Sequence, residues 1–233
     1  MLKWYSWVPR ILQTLAWVPT RLLLAGFCHF QVSGIEHLKE LRQAIFAVNH
    51  SSELDPVLLT GALSPFGRFS PMFYLAGPRE MFRHERFGLR RYIYTTLFFK
   101  AWGAYSSPKG LRDYTKALIV HTTMLLEGRS LCVFPEGFVT KTGELGEPRG
   151  GFIHLCLSSG VPIVPVAISG IYKMSLVDFL GRRRQIIIEY GKPITAEAIL
   201  SGRSDLPIDE HRSAAAKVFE EISTMLEGRH VHR

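Results

Sequence analysis

The chain has 233 residues, enough for one ordinary domain with a substantial buried core. Hydrophobic residues make up 47% and charged residues 21%, which excludes a disordered chain, and a mean hydropathy of +0.10 implies that some apolar surface meets something other than water. A formal net charge of +8 and a pI of about 9.6 call for an anionic partner, but no RNP-type aromatic motif, zinc-finger spacing or long Lys/Arg run makes that partner a nucleic acid.

Between Trp4 and Phe30 the chain is rich in Trp, Leu, Val and Phe, interrupted by Arg10 and Arg21 and punctuated by Pro9 and Pro19. Its longest uncharged runs, Ile11 to Thr20 and Leu22 to Ile35, fall short of the roughly 20 consecutive apolar residues that a spanning helix needs. Residues 1–30 therefore read as an amphipathic helical anchor lying in the membrane interface. Trp4, Trp7 and Trp17 suit the headgroup boundary, and the nearby basic residues favour anionic lipid. The expected location is the cytoplasmic face of a membrane, peripheral or monotopic. Two helices packed on the core, or a cleaved signal, are the alternatives, although no small-x-small cleavage site supports the latter.

Residues 31–233 read as one catalytic domain. Short β-rich runs alternate with helical stretches, the pattern of an α/β layer fold with a mixed, mostly parallel sheet flanked by helices. The expected strands are Ala44 to Val48, Phe69 to Leu75, Ser130 to Phe134, Pro162 to Ile168 and Gln185 to Tyr190. Helices are expected over Asp113 to Glu127, where Ala117, Leu118, His121 and Leu125 recur at helical spacing, over Gly151 to Ser159, and over Asp209 to Glu227. The triplet Arg182, Arg183, Arg184 reads as a solvated turn before a strand. Cys28, Cys132 and Cys156 lie in apolar contexts without metal spacing and read as buried free thiols.

The run Ala44 to Val48 delivers Asn49 and His50 to a sheet edge, where open α/β folds place ligands. Five residues on, Asp55-Pro56 reads as a helix start, with Asp55 at the N-cap and Pro56 at the first helical position. A turn over Ser51 to Leu54 brings the carboxylate against the imidazole and fixes the tautomer that leaves the other ring nitrogen free to accept a proton. The pair by itself is equally compatible with a capping Asp and a satisfied edge His.

Three ordered blocks add context: Asn49-His50-Ser51-Ser52-Glu53-Leu54-Asp55-Pro56, then Phe134-Pro135-Glu136-Gly137, then Gly160 to Ile168. Together they resemble the glycerolipid acyltransferase family that includes 1-acylglycerol-3-phosphate acyltransferases, over about Val32 to Ile194. The resemblance implies a His-x4-Asp dyad in which His50 is general base on a lipid hydroxyl and Asp55 orients it. It implies acyl-CoA or acyl-carrier protein as acyl donor, a lysophospholipid as acceptor, and no cofactor. Glu136 and Gly137 then belong to the substrate-binding part. No Gly-x-Ser-x-Gly elbow, metal-ligand spacing, phosphate-binding loop or dinucleotide fingerprint is present.

The match departs from the family where the acceptor phosphate is bound. The family's Glu-Gly-Thr-Arg is here Glu136-Gly137-Phe138-Val139, and Gly-x-x-Phe-x-x-Arg becomes Gly103 to Lys109. Arg79, Lys109, Lys141 and Arg149 are the candidate replacements, with Lys109 a point charge rather than a bidentate fork. A non-phosphate acceptor such as a glycolipid or aminolipid, a non-catalytic lipid-binding homologue, and a hydrolase stay open.

Overall fold

The computed structural model describes residues 4–78, 88–108 and 113–230. The chain opens with α1 (Trp4–Phe27) and β1 (His29–Ser33), followed by β2 (Ile45–Val48), α2 (Asp55–Ala62) and β3 (Phe73–Ala76). Two short helices, α3 (Arg90–Ile93) and α4 (Thr96–Ala101), precede β4 (Ala104–Ser106). Then come α5 (Tyr114–Ala117), α6 (Ile119–Leu126), β5 (Leu131–Val133), α7 (Gly151–Ser159) and β6 (Ile163–Ser169). The C-terminal part is α8 (Leu176–Leu180), β7 (Gln185–Tyr190), α9 (Ala196–Leu200) and α10 (His211–His230).

The strands form one seven-stranded sheet in the order β1-β7-β6-β2-β5-β3-β4. Every neighbouring pair is parallel except β6 with β7. The mixed, mostly parallel α/β sheet expected from the sequence is the observed one. Because alternate residues point to opposite faces, Phe46 and Val48 pack under α1 and α2 with Leu24, Leu58 and Leu59. Ile45 and Ala47 meet Leu125, Phe152, Leu155 and Val218 from α6, α7 and α10 on the other face. Burial on both sides explains the nearly unbroken apolar runs of β2 and β6.

Several expectations shift. The Phe69–Leu75 run becomes strand only from Phe73, because a turn closed by Ser70 N–H on the Gly67 carbonyl and then Pro71, which has no N–H to donate, precede it. The expected Asp113–Glu127 helix is divided at Leu118, just before the β-branched pair Ile119-Val120, yet Ala117, Leu118, His121 and Leu125 are buried as anticipated. The edge strands β1 and β4 were not anticipated; they are short and only partly buried, so their patterning is weak. All three cysteines are free and buried.

Pro9 and Pro19 do not divide α1, which runs through both as a single 24-residue helix. Tertiary bonds offset the ladder bonds the prolines remove. Gln13 Nε2 donates to the Met72 and Trp102 carbonyls at 2.8 and 3.0 Å, and its Oε1 accepts from Met72 N–H at 2.9 Å. Trp17 Nε1 donates to the Leu63 carbonyl at 2.8 Å. The indole N–H of Trp17 is thus directed at the end of α2, and the side chain is half-buried in a seam between helices. Trp7 is 49% exposed, and Trp4 begins the helix. No helix among the described residues is long and apolar enough to cross a membrane.

Replacing Gln13 by Leu keeps the volume of the side chain but strands one backbone N–H and two carbonyls. The expected result is a loss of about 1–3 kcal/mol, read as a lower denaturant midpoint at unchanged slope.

Candidate active site

Strand register assembles the site. Ala47 pairs with Val133 in the parallel β2–β5 ladder, so three residues further on His50 lies beside Glu136. Val48 pairs with Val166 of β6, and just beyond it the Asn49 carboxamide takes over the ladder. Its Oδ1 accepts from Ile168 N–H at 2.7 Å and its Nδ2 donates to the Ile168 carbonyl at 2.9 Å. A side chain standing in for a peptide group frees the β2 backbone to turn at His50.

The turn closes on a fully buried carboxylate. Asp55 Oδ2 accepts from His50 Nδ1 at 3.0 Å, Ser51 N–H at 2.7 Å and Ser52 N–H at 2.8 Å, and Ser51 Oγ lies 3.4 Å from Oδ1. The expected N-cap role of Asp55 is not what forms. Asp55 is the first residue of α2, Leu54 occupies the cap without a side-chain bond, and the carboxylate faces backward into the loop. Asp55 cannot cap forward while its acceptor oxygens serve the residues before it. Pro56 keeps its place in the first turn, where its missing N–H costs nothing.

A proton on His50 Nδ1 directed at Asp55 leaves Nε2 as the basic nitrogen. The imidazole is 16% exposed and stacks on Phe134, with ring centroids 4.0 Å apart and an interplanar angle of 21°. Stack and carboxylate together fix both the plane and the rotation of the ring.

Glu136 holds this arrangement from below. Its Oε1 accepts from His50 N–H at 2.8 Å and its Oε2 from Gly146 N–H at 2.8 Å, while the residue is only 1% exposed. Burial pushes its pKa up, and the two amides with the adjacent His50 offset part of that rise. Both Glu136 oxygens are thus engaged by backbone amides, one of them that of His50. The His50 carbonyl in turn accepts from Thr140 N–H at 2.8 Å, so two hydrogen bonds and the His50–Phe134 stack tie the strand ends of β2 and β5.

Gly137 has φ +78°, and a Cβ there would lie 2.9 Å from Arg149 Cζ. The close approach places the exposed Arg149 guanidinium directly over the Glu136-Gly137 turn. Lys141 is also exposed, further along the same loop, and its carbonyl accepts from Tyr172 Oη. Arg79 and Lys109 lie outside the described residues. Among the described residues no group of three or more His, Cys, Asp or Glu is arranged to hold a metal ion.

Residues 29–169 match the model of the family described as Acyltransferase, more than half of the chain. The chain belongs to the acyltransferase family. It is 28% identical over 134 residues to a probable 1-acyl-sn-glycerol-3-phosphate acyltransferase of Mycoplasma pneumoniae, covering 55% of this chain and 46% of that one. The 1-acyl-sn-glycerol-3-phosphate acyltransferase of Limnanthes douglasii is 27% identical over 168 residues, 72% of this chain and 55% of the relative. The alpha form from Homo sapiens is 25% identical over 201 residues, 83% and 65% of the two chains. This acyltransferase-family chain thus spans about half to two thirds of the length of the curated relatives it matches. The crystal structure of the 1-acyl-sn-glycerophosphate (LPA) acyltransferase PlsC from Thermotoga maritima shares the fold, with a TM-score of 0.62 at 19% identity over 94% of this chain and 81% of that one.

His50 and Asp55 were legible as a motif, but the roles of Asn49, Phe134 and Glu136 were not. The signal that finds them is the parallel register, which sets residues 48–50 beside 134–136. In Glu136→Gln one acceptor oxygen becomes a donor facing an N–H. We expect a loss of about 1–3 kcal/mol in the denaturant midpoint and faster amide exchange at His50 and Gly146, both restored toward normal in any variant that keeps a carboxylate there.

Proposed function

We propose that the protein moves a fatty acyl group from the thioester of acyl-CoA or acyl-carrier protein to the hydroxyl of a lysophospholipid, 1-acylglycerol-3-phosphate, in phospholipid biosynthesis. The observation that carries the reading is the 3.0 Å contact between His50 Nδ1 and the buried Asp55, which leaves Nε2 as base. In the proposed step, Nε2 takes the hydroxyl proton as the oxygen attacks the thioester carbonyl. The resulting tetrahedral intermediate expels the thiolate as the C–S bond breaks, and the imidazolium returns the proton to sulfur. The protonated ring is stabilised by Asp55, so a base of this kind accounts for about 10²- to 10⁴-fold in rate.

Direct transfer fits the rest of the chain. Burial raises the pKa of Cys28, sets that of Cys132 well above the ordinary thiol value and pushes that of Cys156 up to about 12, so none is a nucleophile that could carry the acyl group. Ser51 is buried with its hydroxyl directed at Asp55. For the acceptor, Arg149 is the candidate cation best placed by its neighbours, because it stands on the Glu136-Gly137 turn that also holds His50. A planar guanidinium restores the phosphate fork that Val139 removes from the family pattern.

The second reading, a lipid acceptor without a phosphate monoester, is favoured by Phe138, which is 49% exposed beside the same turn. The anchor reading is supported by Trp7, Ile11, Leu15, Val18 and Leu22 of α1. They recur every three or four residues and are 49–68% exposed, an apolar face suited to an interfacial helix on an anionic membrane.

Labelled acyl-CoA and acyl-carrier protein offered with a panel of lysolipids test the reaction. Acylated lysophosphatidate is the expected product; free fatty acid alone, or acylated glycolipid alone, rejects the leading reading. His50→Ala is expected to abolish transfer while vesicle binding persists, and near-normal turnover would sink the dyad. Arg149→Ala is expected to raise KM for a phosphorylated acceptor by about tenfold with kcat nearly unchanged, whereas an unchanged KM assigns the phosphate elsewhere.

A further inference from the structure

The connection between β6 and β7 carries a feature that neither the dyad nor α1 uses. Within it, Leu176, Val177 and Leu180 are 71%, 64% and 55% exposed on one side of α8, while Phe179 on the other side packs against the core. Lys173, Arg182 and Arg183 flank them and are exposed. Asp178 is the one acid between residues 170 and 184, and it is already engaged by Ser175 N–H at 3.1 Å, Ser175 Oγ at 2.8 Å and Arg184 at 3.6 Å. The outward face therefore combines aliphatic side chains with uncompensated cations.

This protrusion is clamped rather than loose. At its base Gly170 has φ +86°, and a Cβ there would lie 1.8 Å from the Gln185 carbonyl oxygen, so the two ends of the connection are pressed together. The Ser175–Asp178 capping box sets the helix start. Its location ties it to the site. Strand β6 runs parallel to β2, so residue 170 leaves the sheet at the edge where His50 sits. Tyr172 Oη donates to the Lys141 carbonyl in the loop that follows Glu136-Gly137. On the other side, the Phe179 and Phe27 rings lie 5.1 Å apart, joining α8 to the end of α1.

We propose that α8 and its flanking basic residues form a second membrane contact, in which Leu176, Val177 and Leu180 enter the headgroup boundary of an anionic bilayer and Lys173, Arg182 and Arg183 meet lipid phosphates. Clusters of apolar and basic side chains bind such surfaces by burial and attraction together. Contact here holds the His50 edge of the sheet against the leaflet that supplies an amphiphilic acceptor. A free acidic protein would be matched by the cations alone, whereas three clustered aliphatic side chains continuous with the end of α1 match a bilayer. The inference goes beyond the α1 anchor and stands without it.

The full chain tests it with an environment-sensitive fluorophore on Val177→Cys and, separately, on Leu15→Cys of α1; the three natural cysteines are buried, so labelling is selective. Phosphatidylcholine vesicles with and without phosphatidylglycerol are added, and binding is followed by sedimentation. The expected result is a blue shift and brightening at position 177 with anionic vesicles. Arg182→Gln with Arg183→Gln is expected to weaken binding by about 25-fold, at roughly fivefold per arginine. A shift at 15 without one at 177, in protein that sediments with the vesicles, overturns the α8 contact and leaves the α1 anchor standing. A shift at 177 without one at 15 does the reverse. Absence of binding overturns both, and a shift at 177 that grows with protein concentration in the absence of vesicles marks a self-association face and overturns the membrane assignment.

Discussion

The site depends on satisfying one carboxylate, that of Asp55, where no solvent reaches it. Burying an unpaired carboxylate costs several kcal/mol, and Asp55 offsets that cost only with its donors in place: an imidazole nitrogen, two backbone amides and a nearby hydroxyl. Each donor belongs to the stretch His50 to Ser52. The carboxylate therefore fixes the path of that loop, the entry into α2 and the rotamer of His50 together. A loop held only by its own turn preference would allow the ring to wander; here any departure leaves a buried carboxylate undersatisfied.

Parallel strands make the second contribution. In an antiparallel pair the residue facing the end of β2 would come from the start of its neighbour. In this sheet two strand ends, at His50 and at Phe134 to Gly137, emerge side by side although 86 residues separate His50 from Glu136. Two devices then stop the ladder at the right residue. The Asn49 carboxamide replaces a peptide group on one flank, and the Glu136 carboxylate receives the His50 amide on the other. Both are buried polar groups satisfied by backbone, a combination that rigidifies because any shift breaks several bonds together.

The sequence carried the sheet well where both faces are buried: the long apolar runs of β2, β6 and β7 have few other readings. It carried β1 and β4 poorly, because strands of three to five residues at an edge show little periodicity. The prolines of α1 are tolerated for a related reason. Proline weighs heavily on an isolated helix, but Gln13 and Trp17 dock this one on β3 and α2, contacts 46 to 89 residues away that no local pattern contains. Within the site, chain spacing exposed the His-x4-Asp pair but not the direction of the carboxylate. Forward capping and backward bonding use the same residue at the same position. Only the bonds from the Ser51 and Ser52 amides decide between them.

The surroundings of the site also bear on which acceptor it suits. Leu54 and Val57 at the start of α2 are 50% and 42% exposed, and Phe138 is 49% exposed on the opposite strand end. A small soluble alcohol would gain nothing from apolar rims around a base, and they would cost solubility. The proposed amphiphilic acceptor would gain on both counts, its chain covering the rim while its hydroxyl reached Nε2. Within that argument Arg149 and Phe138 compete to define the headgroup, since both stand on the Glu136-Gly137 turn. Glycine at 137 is what admits the guanidinium, because any side chain there would displace it. The turn carries valine at position 139 and leaves room for the guanidinium of Arg149, which the fold brings back over it.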